Sequence, residues 1–152
     1  MISKMIELSN EKKKLLTEIL KLTENQRTLI KDEDMDGLGK ILSEKDQIMK
    51  SIDLLDIDFL SLYNNVKIEE NIDNINKIDV DKYSNIKILK NNINEINIIL
   101  NNITMIDNEN TRIMKANLEN IKLGLRHVKE VKKAYKGYNY EAVESMLIDE
   151  KK

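Results

Sequence analysis

Cysteine, proline and tryptophan are absent from this chain, and histidine, phenylalanine and glycine are scarce, at one, one and four residues. Each scarcity excludes something. Without cysteine there is no disulfide, no thiolate ligand and no thiol nucleophile, which fits a reducing cytoplasm. Without proline, and with so few glycines, little interrupts a helix. The regular turn signals that an all-β or βαβ chain needs are missing as well. One histidine and no cysteine argue against a zinc site. His127 lies beside an apolar stripe in a cationic neighbourhood, and no nucleophile–base–acid triad can be assembled around it. A dominant charge is lacking too. The net charge of −2 gives no global pull toward nucleic acid or an anionic membrane. Long apolar runs are absent: the opening MISKMIELSNEKKK has no signal-peptide core, and no stretch approaches a membrane span. The expectation is a protein without catalysis, metal or cofactor, not inserted in a membrane and not a nucleic-acid binder.

What remains is rich in Ile, Asn, Lys and Glu. At 41% hydrophobic, the 152 residues hold enough apolar material for one core, provided it falls on stripes. The weight of Ile, Asn and Lys resembles an AT-rich coding bias, so surface asparagines are not read as chosen. Met5, Leu8, Leu15, Ile19, Leu22 and Leu29 keep 3–4 spacing, with Lys12 and Gln26 at the missing seam positions. The same pattern restarts after an acidic interruption. It then runs through Leu38, Ile41, Lys45, Ile48, Ile52, Leu55, Phe59, Leu62 and Val66. Two equal striped helices joined by a few residues must fold back antiparallel. An Asn/Asp-rich connector follows, in which Ile68, Ile72, Ile75 and Ile78 hint at a short helix. A third stripe holds Ile86, Leu89, Ile93, Ile96, Leu100 and Ile103, frays at Asp107 and Asn110, and recovers through Met114, Leu118, Ile121, Leu125, Val128 and Val131. It is either one helix of about 50 residues, about 75 Å long, or two with a break near DNEN. The expected fold is all-α: an elongated antiparallel hairpin plus a long third helix, as in a three-helix, coiled-coil-like bundle. Helices at about 1–31, 35–66 and 83–136 and a connector at 67–82 make a bundle over 1–136, and 137–152 form a flexible or short helical tail.

Three stretches invite a chemical reading. In DEDMDGLGKILSE, Asp32, Asp34, Asp36 and Gly37 fit the first half of a calcium loop. Lys40 then occupies the ninth position and Ser43 the twelfth, where a bidentate Glu belongs. A helix–helix turn capped by Asp34 or Asp36 fits better. The GLG at Gly37 lacks the further glycines and the preceding strand of a phosphate loop. Lys122, Arg126, Lys129, Lys133 and Lys136 line one face at 4-3-4-3 spacing. That row is a solvated face complementing a helix C-terminus, or a contact for an acidic partner, or more weakly a nucleic-acid contact. Last, three of the five tyrosines, Tyr135, Tyr138 and Tyr140, fall in AYKGYNYEAVESMLIDEKK around Gly137, ahead of Ala142, Val143, Met146 and Leu147. Tyr135 can finish the third stripe; Tyr138 and Tyr140, two apart, cannot share a face. The tail is a terminal turn docked on the bundle, or a segment that a partner orders.

The stretch LTENQRTLIKDEDMDGLGKILSEKDQIMKSIDLLD resembles the FlgN-type flagellar export chaperones, in its Leu-Thr/Glu-Gln helix end, acidic turn and L..IL.EK...M..ID run. The resemblance is strongest from Leu15 to Tyr63. AYKGYNYEAVESMLIDEKK is similar to the tails of such proteins from Gram-positive bacteria. The resemblance implies a cytoplasmic helical chaperone. It would bind the C-terminal helical regions of hook-associated, hook–filament junction proteins, prevent their premature assembly, and bring them to the type III export apparatus. The implied binding region is C-terminal; on this chain the candidates are Leu125, Val128, Lys129, Lys133, Tyr135, Tyr138, Tyr140, Val143, Met146 and Leu147. Other readings of the same pattern are a structural coiled-coil homodimer in which the third helix pairs with its copy, a nucleic-acid accessory protein using the basic row, and a filament-cap chaperone of the FliT type; within the chaperone reading, the tail of the free protein can instead borrow a neighbouring copy's groove, a homodimer that cargo displaces.

Overall fold

The structure, a computed structural model, describes residues 1–138. Three α-helices, α1 (Ile2–Lys31), α2 (Met35–Glu70) and α3 (Ile86–Tyr138), account for most of them; there is no strand among the described residues. The fold is an all-α bundle. The chain divides into two compact units, Met1–Thr111 and a second that begins at Arg112.

The first unit holds α1, α2, the connector and the first half of α3. A three-residue turn joins α1 to α2. Glu33 takes a left-handed φ of 57°, which reverses the chain in one step. Asp34 then caps α2, its Oδ1 accepting the Gly37 N–H at 2.9 Å. A Cβ at Gly37 would lie 2.5 Å from Asp34 Oδ2, so a larger residue there would displace the capping carboxylate. The acidic turn is thus built as a cap. Asp34→Ala is expected to lower stability by about 0.5–2 kcal/mol, readable as a lower urea midpoint at unchanged slope.

The turn sets α2 antiparallel to α1. Every α1 and α2 residue assigned above to an apolar seam is buried or half-buried. Their polar members are paired: Lys12 with Asp56 at 2.7 Å, and Lys45 with Gln26 at 2.7 Å.

A further row of α1 is buried more deeply than its seam. Ile2, Ser9, Leu16, Thr23 and Ile30, each seven residues from the next, are all 3% exposed or less. This row faces α3, and α1 therefore buries the wide stripe of a bundle helix rather than a two-row coiled-coil seam. The side chains that link α1 and α3 keep a nearly constant register. Asn85 donates to Ser3, Asn92 to Ser9 and Asn10, and Lys13 to Glu95, at separations of 82 or 83 residues. Near the other end Arg27 pairs with Glu109 and Asn110, again 82 and 83 residues apart. A constant offset means that the two helices run parallel.

The expected fraying at Asp107 and Asn110 is a polar layer, and α3 is unbroken there. Asn110 is 3% exposed; its Nδ2 donates to the Thr23 carbonyl at 2.9 Å while Arg27 Nε donates to its Oδ1. Asp107 accepts from Lys45 Nζ, which also reaches Gln26. All three helices contribute, and every buried polar group in the layer has a partner.

The connector closes the opposite end. Asn71, left-handed at φ 50°, ends α2, and the hinted short helix is a single 3₁₀ turn, Ile75–Lys77. Ile75 and Ile78 complete a cluster with Ile2, Met5, Val66, Ile86 and Leu89. A second cluster holds Leu16, Ile19, Ile52, Ile96 and Ile103. Between them lies a cavity of about 210 Å³ lined in part by Leu8, Leu55, Phe59, Ile93 and Ile96. Leu100, assigned above to the third stripe, lines that cavity and remains 38% exposed.

Candidate functional site

The second unit begins as the same helix with its burial gone. Within it Ile113 is still half-buried. From Met114 to Tyr135 every side chain except that of Asn117 is exposed. The apolar row nevertheless continues. Met114, Leu118, Ile121, Leu125, Val128 and Tyr135 hold heptad spacing, with Lys132 in the remaining slot. They are between 42% and 60% exposed. A row of this length, regular and uncovered, is unusual for a chain that needs only its own core.

The basic row runs one residue behind it. Lys122, Arg126, Lys129 and Lys133 each follow an apolar-row position, so the two rows form one band. The only ion pair among the described residues of this stretch joins Lys122 to Glu119, at 3.7 Å. An amphipathic helix from a partner could seat its apolar face on the first row and its acids on the second.

Of the residues expected to bind a partner, Leu125, Val128, Lys129, Lys133 and Tyr135 therefore lie together on one exposed band. Tyr138 is the last residue of α3 as described, so the helix passes through Gly137. Tyr140, Val143, Met146 and Leu147 lie outside the described residues. Met114, Leu118 and Ile121 were not among the sequence candidates. The signal was present in their spacing, but the same spacing describes a buried seam.

A second exposed row lies on α2, in the first unit, and was not singled out from the sequence. Met35, Leu42, Met49, Ile57, Leu60 and Ile68 are all 47% exposed or more. Gly39, Asp46, Asp53 and Asn64 fill the gaps, giving a continuous stripe at 3–4 spacing along a flank that is not the core seam.

The titration shifts fall elsewhere. Glu70, Lys82 and Tyr83 tie the end of α2 to the end of the connector. Lys82 Nζ donates to Glu70 Oε1 at 2.8 Å and Tyr83 Oη to the same oxygen at 2.6 Å. The Lys82 bond, then the Tyr83 bond, hold the Glu70 carboxyl below its ordinary range, and both partners are pushed up by Glu70. A lowered acid stabilises the fold above its ordinary pKa, and that contribution is lost as pH falls through the lowered value. The raised Lys82 and Tyr83 contribute fully below their ordinary pKa values and lose that contribution as pH rises through the raised ones. This is a structural clasp, remote in sequence from the exposed band.

Compared with known families, residues 1–144 match the model of the FlgN protein family. No curated protein and no solved structure matches the chain. Among the described residues no helix is long and apolar enough to cross a membrane.

Proposed function

The chain belongs to the FlgN family, a family of flagellar export chaperones, and from that premise we propose that it holds the C-terminal helical region of hook–filament junction proteins before their export. The observation that carries this reading is the uncovered apolar row from Met114 to Tyr135. A junction-protein helix lies along that row and the basic row beside it, which hides the surface the cargo would use to assemble too early. The first unit serves as a rigid holder. The complex forms in the cytoplasm and is handed to the export apparatus, where the cargo is released. The tail residues Tyr138, Tyr140, Val143, Met146 and Leu147 extend the same contact.

The basic row gives the reading a specific test. Lys129→Glu with Lys133→Glu is titrated by calorimetry against the C-terminal segment of a junction protein. The expected result is a loss of about tenfold in affinity and a flatter dependence on salt, with helicity by circular dichroism unchanged. Unaltered affinity would return the row to a merely solvated face.

A further inference from the structure

The net charge of −2 conceals two opposite balances. Residues 1–111 carry fifteen basic and twenty-one acidic side chains, a balance of −6, whereas residues 112–135 carry seven basic and two acidic, a balance of +5. The charges of 112–135 are also sorted around the helix. At about 100° per residue, Met114, Leu118, Ile121, Leu125 and Val128 fall within about 40° of one direction. Lys115, Lys122, Lys129 and Lys133 stand about 60–100° to one side of it, and Val131 about 100° to the other. Glu119 and Glu130 both lie about 140–160° away, on the far side. The apolar half of this helix is thus wider than one row, is edged by lysines and holds no carboxylate.

We infer that helix 112–135 is a docking site for an anionic lipid surface. It lies flat on that surface, its apolar half in the headgroup layer and its lysines against lipid phosphates. The first argument is charge. Five net positive charges sit on one exposed helix, while the first unit, at −6, is repelled by the same surface; contact is made by this helix alone. The second argument is width. A single partner helix covers one row, whereas a lipid interface covers half the circumference, including Val131, which is 53% exposed. The third is Lys132, which occupies a slot of the apolar row. Against a protein its ammonium would be pressed into apolar side chains; at an interface its flexible stem carries the charge out to the headgroups. The helix rests on the membrane and does not cross it, since no described helix is long and apolar enough to span one. The site needs no cargo, so it stands or falls separately from the cargo reading. It also implies competition, because cargo and lipid cannot cover one row at the same time.

The test is flotation of the full chain with vesicles of phosphatidylcholine alone, or with about one-third phosphatidylglycerol, in about 50 mM and about 500 mM salt. The expected result is binding to the anionic vesicles that falls about tenfold or more at the higher salt, with little binding to the neutral ones. Lys129→Glu with Lys133→Glu lowers the partition coefficient about tenfold or more at low salt. Lys14→Glu with Lys87→Glu makes the same change in net charge at exposed positions of the first unit, and leaves the coefficient within about threefold. Leu118→Asp with Leu125→Asp abolishes binding at both salt concentrations, through the apolar part. Equal binding to neutral and anionic vesicles overturns the inference. So does an equal loss in the two lysine pairs, because net charge rather than this helix would then set binding. A chain that floats with neither vesicle also overturns it and leaves the band to protein partners alone. Circular dichroism on each variant separates loss of contact from loss of fold.

Discussion

A chain carrying Leu118→Asp and Leu125→Asp should lose cargo binding by about 100-fold or more while its melting temperature stays within a few degrees of wild type. Both residues are more than half exposed, so neither substitution removes a core contact or leaves a cavity. In a complex both would sit near the centre of the apolar row, where a carboxylate must be desolvated against a partner's apolar side chain. Apolar anchors of this kind each contribute on the order of 2 kcal/mol to an interface, about thirtyfold in affinity. Titration calorimetry with a junction-protein C-terminal segment reads the loss, and a thermal melt reads the fold. Retained binding would move the cargo site off this row. A large drop in melting temperature would mean that the row is packed in solution.

The opposite pattern is expected for Leu89→Ala. Leu89 is fully buried in the cluster that joins α1, α2, the connector and α3. Truncation there removes transfer energy and leaves a cavity, together about 2–5 kcal/mol. For a protein of this size that is a fall of about 5–15 °C in melting temperature. Affinity for cargo, measured well below the new midpoint, should change little, because the row proposed to bind it lies on the second unit. A change under about 1 kcal/mol would mean that the cluster packs loosely.

Much of this architecture could be read before any coordinates. Spacing alone identified both helices of the hairpin, because a buried seam on a helix leaves a 3–4 period. The acidic cap was legible as Asp34 or Asp36, because short acids ahead of a helix accept its free N–H groups; the structure gives the role to Asp34. The α3-facing row of α1 was not legible. Two of its five members are Ser9 and Thr23, which look like surface residues until Asn92 is seen donating to Ser9 and Asn110 to the Thr23 carbonyl. Those two asparagines were hidden by their own abundance. In a chain so rich in Asn, composition cannot single out two that are buried. Nor could spacing show where α3 loses its partners. Ile103 and Leu118 occupy the same kind of position in the pattern, yet one is 9% exposed and the other 51%. Periodicity records that a helix has an apolar face, not what covers it. The same limit hid the second row of α2, since a helix with one strong seam is read as having only one.

Hydrogen exchange on the full chain, with and without a junction-protein C-terminal segment, tests the central claim most directly. Amides from Arg112 to Tyr135, whose side chains are almost all uncovered, should exchange quickly in the free protein. The amides flanking Leu89 and Val66, in the core of the first unit, should exchange slowly. Addition of the segment should slow exchange between Arg112 and Tyr135 by tenfold or more, on the scale of about one kcal/mol or greater, and leave the first unit nearly unchanged. Protection confined to residues 1–111, with residues 112–135 exchanging as before, would contradict the account.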